Sequence, residues 1–163
     1  MAAVKVPQVV TGLNVFVDGF GHLGTAKTVK RPDIDTEKIE QLTGAGARDV
    51  DTFQLGKLEA EISFDEMSVV AYKQLGTDKD VIVKGAVRQG SEVLGVVETY
   101  RGVYSVTQGD LELKKTAEAK LKISASYYRL EVNGEELIEV DHDNNIFKLN
   151  GVDMLDKVNQ LIM

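Results

Sequence analysis

The sequence predicts a mainly β fold of the α+β kind: a barrel or sandwich with one internal helix and a short C-terminal helix. Three observations predict it. Glycine is frequent (15) and proline rare (2) across 163 residues, with turn residues punctuating short apolar runs. Several segments alternate apolar and polar residues with period two, as a strand with one buried face does. Asn133-Gly134 separates two such runs, and this dipeptide favours a type I′ hairpin because both central residues need positive φ.

The length predicts one domain over 1–163. A chain of this size buries about 68–70% of its unfolded surface, enough for a core without staples. Residues 1–12, interrupted by Pro7, read as an extended N-terminal arm; they lack the continuous apolar stretch of a signal peptide. Asn14 to Val17 reads as a strand ending at the turn Asp18-Gly19, and His22 to Val29 as the next. Pro32 breaks the chain before Ile34 to Leu42 resumes. The stretch 43–57 is polar and glycine-bearing and reads as a long loop or flexible hairpin.

Leu58 to Phe64 alternates cleanly, with Leu58, Ala60, Ile62 and Phe64 on one face. Asp65 to Leu75 has helical spacing, with Asp65 as the expected N-cap and Gly76 as the stop. Three strand-like runs follow: Val81 to Arg88, Val93 to Thr107 with Gly95 and Gly102 permitting bends, and Thr116 to Val132. The last changes phase at Tyr127-Tyr128, which predicts a bulge or a strand that passes from one sheet to another. The pattern over 153–163 predicts a C-terminal helix with Asp153 as N-cap.

Composition excludes several functions. The net charge of −7 opposes a grip on nucleic acid, which relies on Lys and Arg. No apolar run approaches the roughly 20 residues of a membrane span, so no membrane anchor is expected. With no Cys there is no disulfide and no thiol chemistry. With no Trp and only 6% aromatic residues, a base-stacking platform is not expected.

Motifs with chemical meaning fail on context. Gly19-Phe20-Gly21-His22-Leu23-Gly24 has the dinucleotide spacing but is followed by a β-like run rather than a helix that could hold a pyrophosphate. Asp141-His142-Asp143-Asn144-Asn145 resembles the start of a calcium loop, yet Ile146 stands where Gly is required and Val152 where Glu is required. A turn held by Asx side chains is the expectation there. His22 and His142 have no partner at ligand spacing, and no nucleophile elbow is present. No catalytic residue, metal site or cofactor is therefore expected.

Two stretches carry a family resemblance. One runs from Leu13-Asn14-Val15-Phe16-Val17-Asp18-Gly19 through Leu23-Gly24 to Arg31-Pro32-Asp33-Ile34. The other runs from Ser126-Tyr127-Tyr128-Arg129-Leu130 through Asn133-Gly134 and Ile138-Glu139-Val140-Asp141 to Asn150-Gly151-Val152-Asp153-Met154-Leu155. Both resemble the FII-type major tail tube proteins of contractile-tailed phages and R-type tailocins. The resemblance implies a structural, non-enzymatic subunit of the virion tail, assembled in the bacterial host cytoplasm. It implies homo-hexameric rings stacked into a tube, with tail sheath, tape-measure, baseplate and tail terminator proteins as partners, and DNA passing through the lumen without specific binding.

Within that frame Glu59, Glu61, Glu98 and Glu118 are the candidate lumen-facing residues, and an acidic channel wall is expected. Gly44, Gly46, Arg48 and Asp49 mark the candidate inter-ring loop. Two other readings compete: a monomeric small-molecule-binding β-barrel, and the tube subunit of a type VI-like secretion apparatus.

Overall fold

The computed structural model describes residues 4–163. Strand β1 (Val9–Val17) turns through Asp18 and Gly19, both at positive φ, into β2 (Phe20–Gly21). Strand β1 therefore starts within the expected 1–12 arm, whose first three residues lie outside the described part. The glycine motif is a hairpin followed by strand β3 (Ala26–Lys30), which starts later than expected because His22 occupies a turn. The His22 N–H donates to Val15 O at 2.9 Å and its carbonyl accepts from Ala26 N at 3.0 Å.

The polar stretch is the second arm of a hairpin, not a loop. Strands β4 (Thr36–Thr43) and β5 (Gly46–Leu55) pair with each other and with nothing else among the described residues. Both faces are largely exposed, so no apolar alternation betrays them; the backbone ladder alone defines the element. Gly56 N donates to Asp35 O at 3.2 Å and closes its base.

Strand β6 (Leu58–Phe64) matches its alternation. Helix α1 (Val69–Lys73) is shorter than predicted and is capped by Ser68, whose Oγ accepts from Ala71 N at 3.2 Å. Asp65 instead pairs with Lys27 at 2.8 Å. The rest is β7 (Val81–Gln89), β8 (Glu92–Gln108), β9 (Ala119–Val132), β10 (Glu135–Asp141), β11 (Ile146–Leu149), β12 (Val152–Asp153) and helix α2 (Asp156–Ile162). Asn133 and Gly134 both have positive φ, as the β9–β10 turn requires. The predicted cap Asp153 belongs to β12, where its carboxylate accepts from Leu155 N at 3.0 Å, and α2 starts later.

The sheet is organised around β9. Its whole length pairs with β8. On its other side, residues Ala119–Ala125 pair with β6 and Tyr127–Val132 with β10. Ser126 is skipped in both ladders, so the phase change at Tyr127-Tyr128 is a bulge and a change of partner together. The carbonyl of Ser126 still accepts from His142 N at 3.0 Å. The path β3–β6–β9–β8–β7–β1 curls until β3 meets β1. Side chains fill the interior: Val15, Val17, Ile62, Phe64, Val81, Tyr100, Leu121, Ile123 and Tyr128 are all buried in one cluster. The reading as a ligand-holding barrel needs space at these positions, and they are filled.

Candidate assembly interface

The lower half of the sheet is a block of four strands in the order β3–β6–β9–β8. Its apolar face, with Leu58, Ala60, Ile62, Phe64, Leu121 and Ile123, is core. Its other face forms polar cross-strand rows: Thr28–Ser63–Lys120–Thr107 and Lys30–Glu61–Lys122–Ser105. Glu59 and Ser124 continue it, with exposed Val103.

Both flanks of this block are open. β3 pairs only with β6, and β7 pairs with β8 only as far as Tyr100, so residues 102–108, paired with β9 on one side, have no strand on the other among the described residues. Unpaired edges of this kind are templates for pairing with another chain. The signal was in the sequence as a mismatch of lengths between the runs Val93 to Thr107 and Val81 to Arg88; the observed strands of 17 and 9 residues leave that edge uncovered.

The four candidate glutamates do not form one set. Glu59 and Glu61 lie on the polar face, and Glu61 pairs with Lys120 at 3.6 Å. Glu118 is exposed just before β9, and its carbonyl accepts from Gly109 N at 3.0 Å. Glu98 is a correction: it is 2% exposed and presents no charge to a channel. It shares the inward phase of Tyr100, so its position in the alternation pointed inward all along. Its carboxylate contacts Arg31 Nε and accepts from the Tyr100 hydroxyl. Burial and the neighbouring Glu98 push the Tyr128 hydroxyl up to about 12, against the opposing effect of Arg31. Burial opposes the charge of Arg31 itself, and Glu98 and Tyr128 together more than offset this, so its pKa is raised.

The polar face that carries Glu59 and Glu61 is not uniformly acidic. Lys30, Lys120 and Lys122 stand among Glu59 and Glu61 on this face, so its charge alternates in sign. An open groove of about 520 Å³ on the same face is lined by Lys30, Glu61, Lys122 and Ser105 among others. Such a mixed surface neither grips nor strongly repels phosphate.

Gly44, Gly46, Arg48 and Asp49 all lie exposed at the distal part of the β4–β5 hairpin. Gly46 has φ 133°, and Thr43 Oγ1 donates to its carbonyl at 2.9 Å. Arg48 donates to Gln41 Oε1 at 2.7 Å, and Asp49 stands directly across from Glu40.

One arrangement looks catalytic by distance alone. His22 Nε2 lies 2.7 Å from Ser68 Oγ, with Glu66 at 3.7 Å. Both His22 and Ser68 are buried, however, and Ser68 Oγ already accepts from Ala71 N as the helix cap. His22 Nδ1 is 3.2 Å from Val15 O, which favours the tautomer that donates there and accepts from Ser68. The group ties the β2 turn to α1. The Asp141 turn is of Asx type: Asp141 Oδ1 accepts from Asp143 N at 3.1 Å and Asn144 N at 3.2 Å.

The fold is β-rich, with two open strand edges flanking one polar face. A model of the family described as phage tail tube protein FII matches residues 7–162. The tail tube protein of Escherichia phage P2 is 29% identical over 166 residues, covering 94% of this chain and 96% of that protein. Two solved structures share the fold. The sheath/tube terminator of the extracellular contractile injection system PVC, in its extended state, has a TM-score of 0.57 at 16% identity, over 79% of this chain and 99% of that chain. The tube-terminating cap of the anti-feeding prophage has a TM-score of 0.57 at 18% identity, over 80% and 95%. The chain belongs to the phage tail tube protein FII family.

Proposed function

We propose that this chain, acting as one tube domain, closes into hexameric rings that stack into the inner tube of a contractile tail. The observation that carries the reading is the pair of open edges flanking one four-stranded block. Pairing β3 of one subunit with residues 102–108 of β8 in the next satisfies both edges and continues the sheet around a ring. The polar rows bearing Glu59, Glu61, Lys120 and Lys122 then face the channel, with Glu118 at their margin. Alternating charge suits a wall past which DNA and a tape-measure protein slide.

The β4–β5 hairpin, with Gly44, Gly46, Arg48 and Asp49 at its distal part, spans from ring to ring. A surrounding sheath, the baseplate and a tail terminator are the remaining partners of such a tube in the virion, and the likeness to terminating proteins fits a shared ring geometry. The work is mechanical and uses no active site.

Hydrogen exchange tests the edge pairing. Those amides of 27–30 and 102–108 that point away from β6 and β9 should exchange freely in dispersed subunits and become protected in assembled tubes. Equal exchange in both states sinks the proposed ring closure.

A further inference from the structure

We infer that the tip of the β8–β9 loop, residues 109–118, receives the β4–β5 hairpin of a subunit in the adjacent ring. The inference rests on the tube reading above and names the partner surface. Strand β6 runs from Leu58, opposite Ala125, to Phe64, opposite Ala119. The hairpin joins the block at the Leu58 end and the 109–118 loop joins it at the Ala119 end, so the two elements leave from opposite ends. A surface at one end that fits a different surface at the other makes a heterologous contact, which propagates as an open filament. The hairpin strands, 8 and 10 residues long, extend about 3 nm, enough to reach past one subunit's end.

Both surfaces are apolar where solvent is their only neighbour. Leu42 on the hairpin is 79% exposed; Leu111 and Leu113 on the loop are 76% and 92% exposed. Charges of opposite sign lie on one side of each leucine, although Asp110 and Glu112 flank Leu111 and Glu112 precedes Leu113 on the loop. On the face with Leu42, Glu40 and Asp49 are direct cross-strand partners, a like-charge pairing that destabilises an isolated hairpin. On the loop, Leu113 precedes Lys114, which has no ion pair among the described residues, and Lys115, paired only with exposed Glu112 at 2.7 Å. The Lys114–Lys115 side of Leu113 thus meets the Glu40–Asp49 side of Leu42.

The absence of native cysteine makes the test clean. The full chain carrying Leu42→Cys and Leu113→Cys together, treated with a short bis-maleimide, should give a ladder of covalent species beyond the dimer. Each single variant should stop at the dimer. In a second arm, Lys114→Glu with Lys115→Glu should shorten tubes at least about tenfold, since like-charge contacts strongly suppress association. Adding Glu40→Lys and Asp49→Lys to that protein should restore length. Normal tubes with no ladder and no charge effect overturn this contact alone and leave the tube reading standing. A wild-type protein that forms neither rings nor tubes overturns both.

Discussion

A Cβ on Gly102 would stand 2.0 Å from the carbonyl oxygen of Ser124, closer than any real pair of such atoms. The two strands touch here, beside the skipped Ser126, because β8 carries no side chain at that point. Gly102→Ala must therefore push β8 from β9 at the place where β9 changes partner. The expected loss is about 3 kcal/mol or more, read by denaturant unfolding. Gly95→Ala, where a Cβ meets nothing within 4 Å, is the matched control and should stay within about 1 kcal/mol.

Arg31 and Glu98 make an asymmetric pair: the Arg31 side chain is largely in solvent and that of Glu98 is buried. Arg31→Met strands the buried carboxylate and should cost about 2–3 kcal/mol. Glu98→Gln leaves an arginine that water still solvates and should cost less. Equal losses in the two variants would count against this assignment. Because Arg31 lies just before the hairpin, Arg31→Met should also raise amide exchange through residues 33–57.

The two histidines should behave differently. His22→Ala removes a buried ring that packs on Phe64 at 4.8 Å and leaves the Ser68 hydroxyl without its acceptor. A loss of about 2–4 kcal/mol is expected. His142 is exposed, and its replacement by Ala should stay within about 0.5 kcal/mol. Tubes should form from both variants below their melting temperatures. Failure of His142→Ala to assemble would assign that turn a role in contact.

The tyrosines predict alkaline instability. Burial, with nearby carboxylates, raises the Tyr128 and Tyr127 hydroxyls to about 12 from 10.0. The folded state therefore keeps protons that the unfolded state has released. Stability is fully present below about pH 10 and falls as pH rises toward 12, by at most about 2–3 kcal/mol for Tyr128. Unfolding curves across that range, with phenolate absorbance as the second signal, check it. Stability unchanged from pH 9 to 12 contradicts it.

Excision tests the hairpin. Asp35 and Gly56 are already hydrogen-bonded, so a short glycine linker in place of residues 36–55 should leave the subunit folded with near-native melting. Its rings should fail to extend into long tubes. Tubes of normal length from the shortened chain would remove the hairpin from any stacking role.

Alternation made the buried strands legible. Leu58 to Phe64 and the Asn133-Gly134 turn match the structure because a buried face and a positive-φ turn each demand particular residues. The β4–β5 hairpin was less legible since neither face is buried, and only backbone hydrogen bonds mark it. The N-cap was misplaced for a related reason: Asp65 and Ser68 are both good caps, and the choice was made by tertiary contact, with Lys27 drawing Asp65 away and His22 meeting Ser68. Glu98 was misplaced because a carboxylate reads as surface until its cation is known, and Arg31 is 67 residues away in sequence. No residue type marks the open edges; only the excess length of one strand run over its neighbour points to them, since an edge is defined by which strand is missing.

The change of partner along β9 has a mechanical consequence. A strand hydrogen-bonded to β8 throughout, and to β6 and β10 in succession, carries tension applied along its length as shear on many bonds at once. The same tension across the strand would unzip them singly. If the axis of thrust runs along β9, the subunit yields only when both halves fail together, and Ser126, where the two ladders hand over, is where the first tear would start.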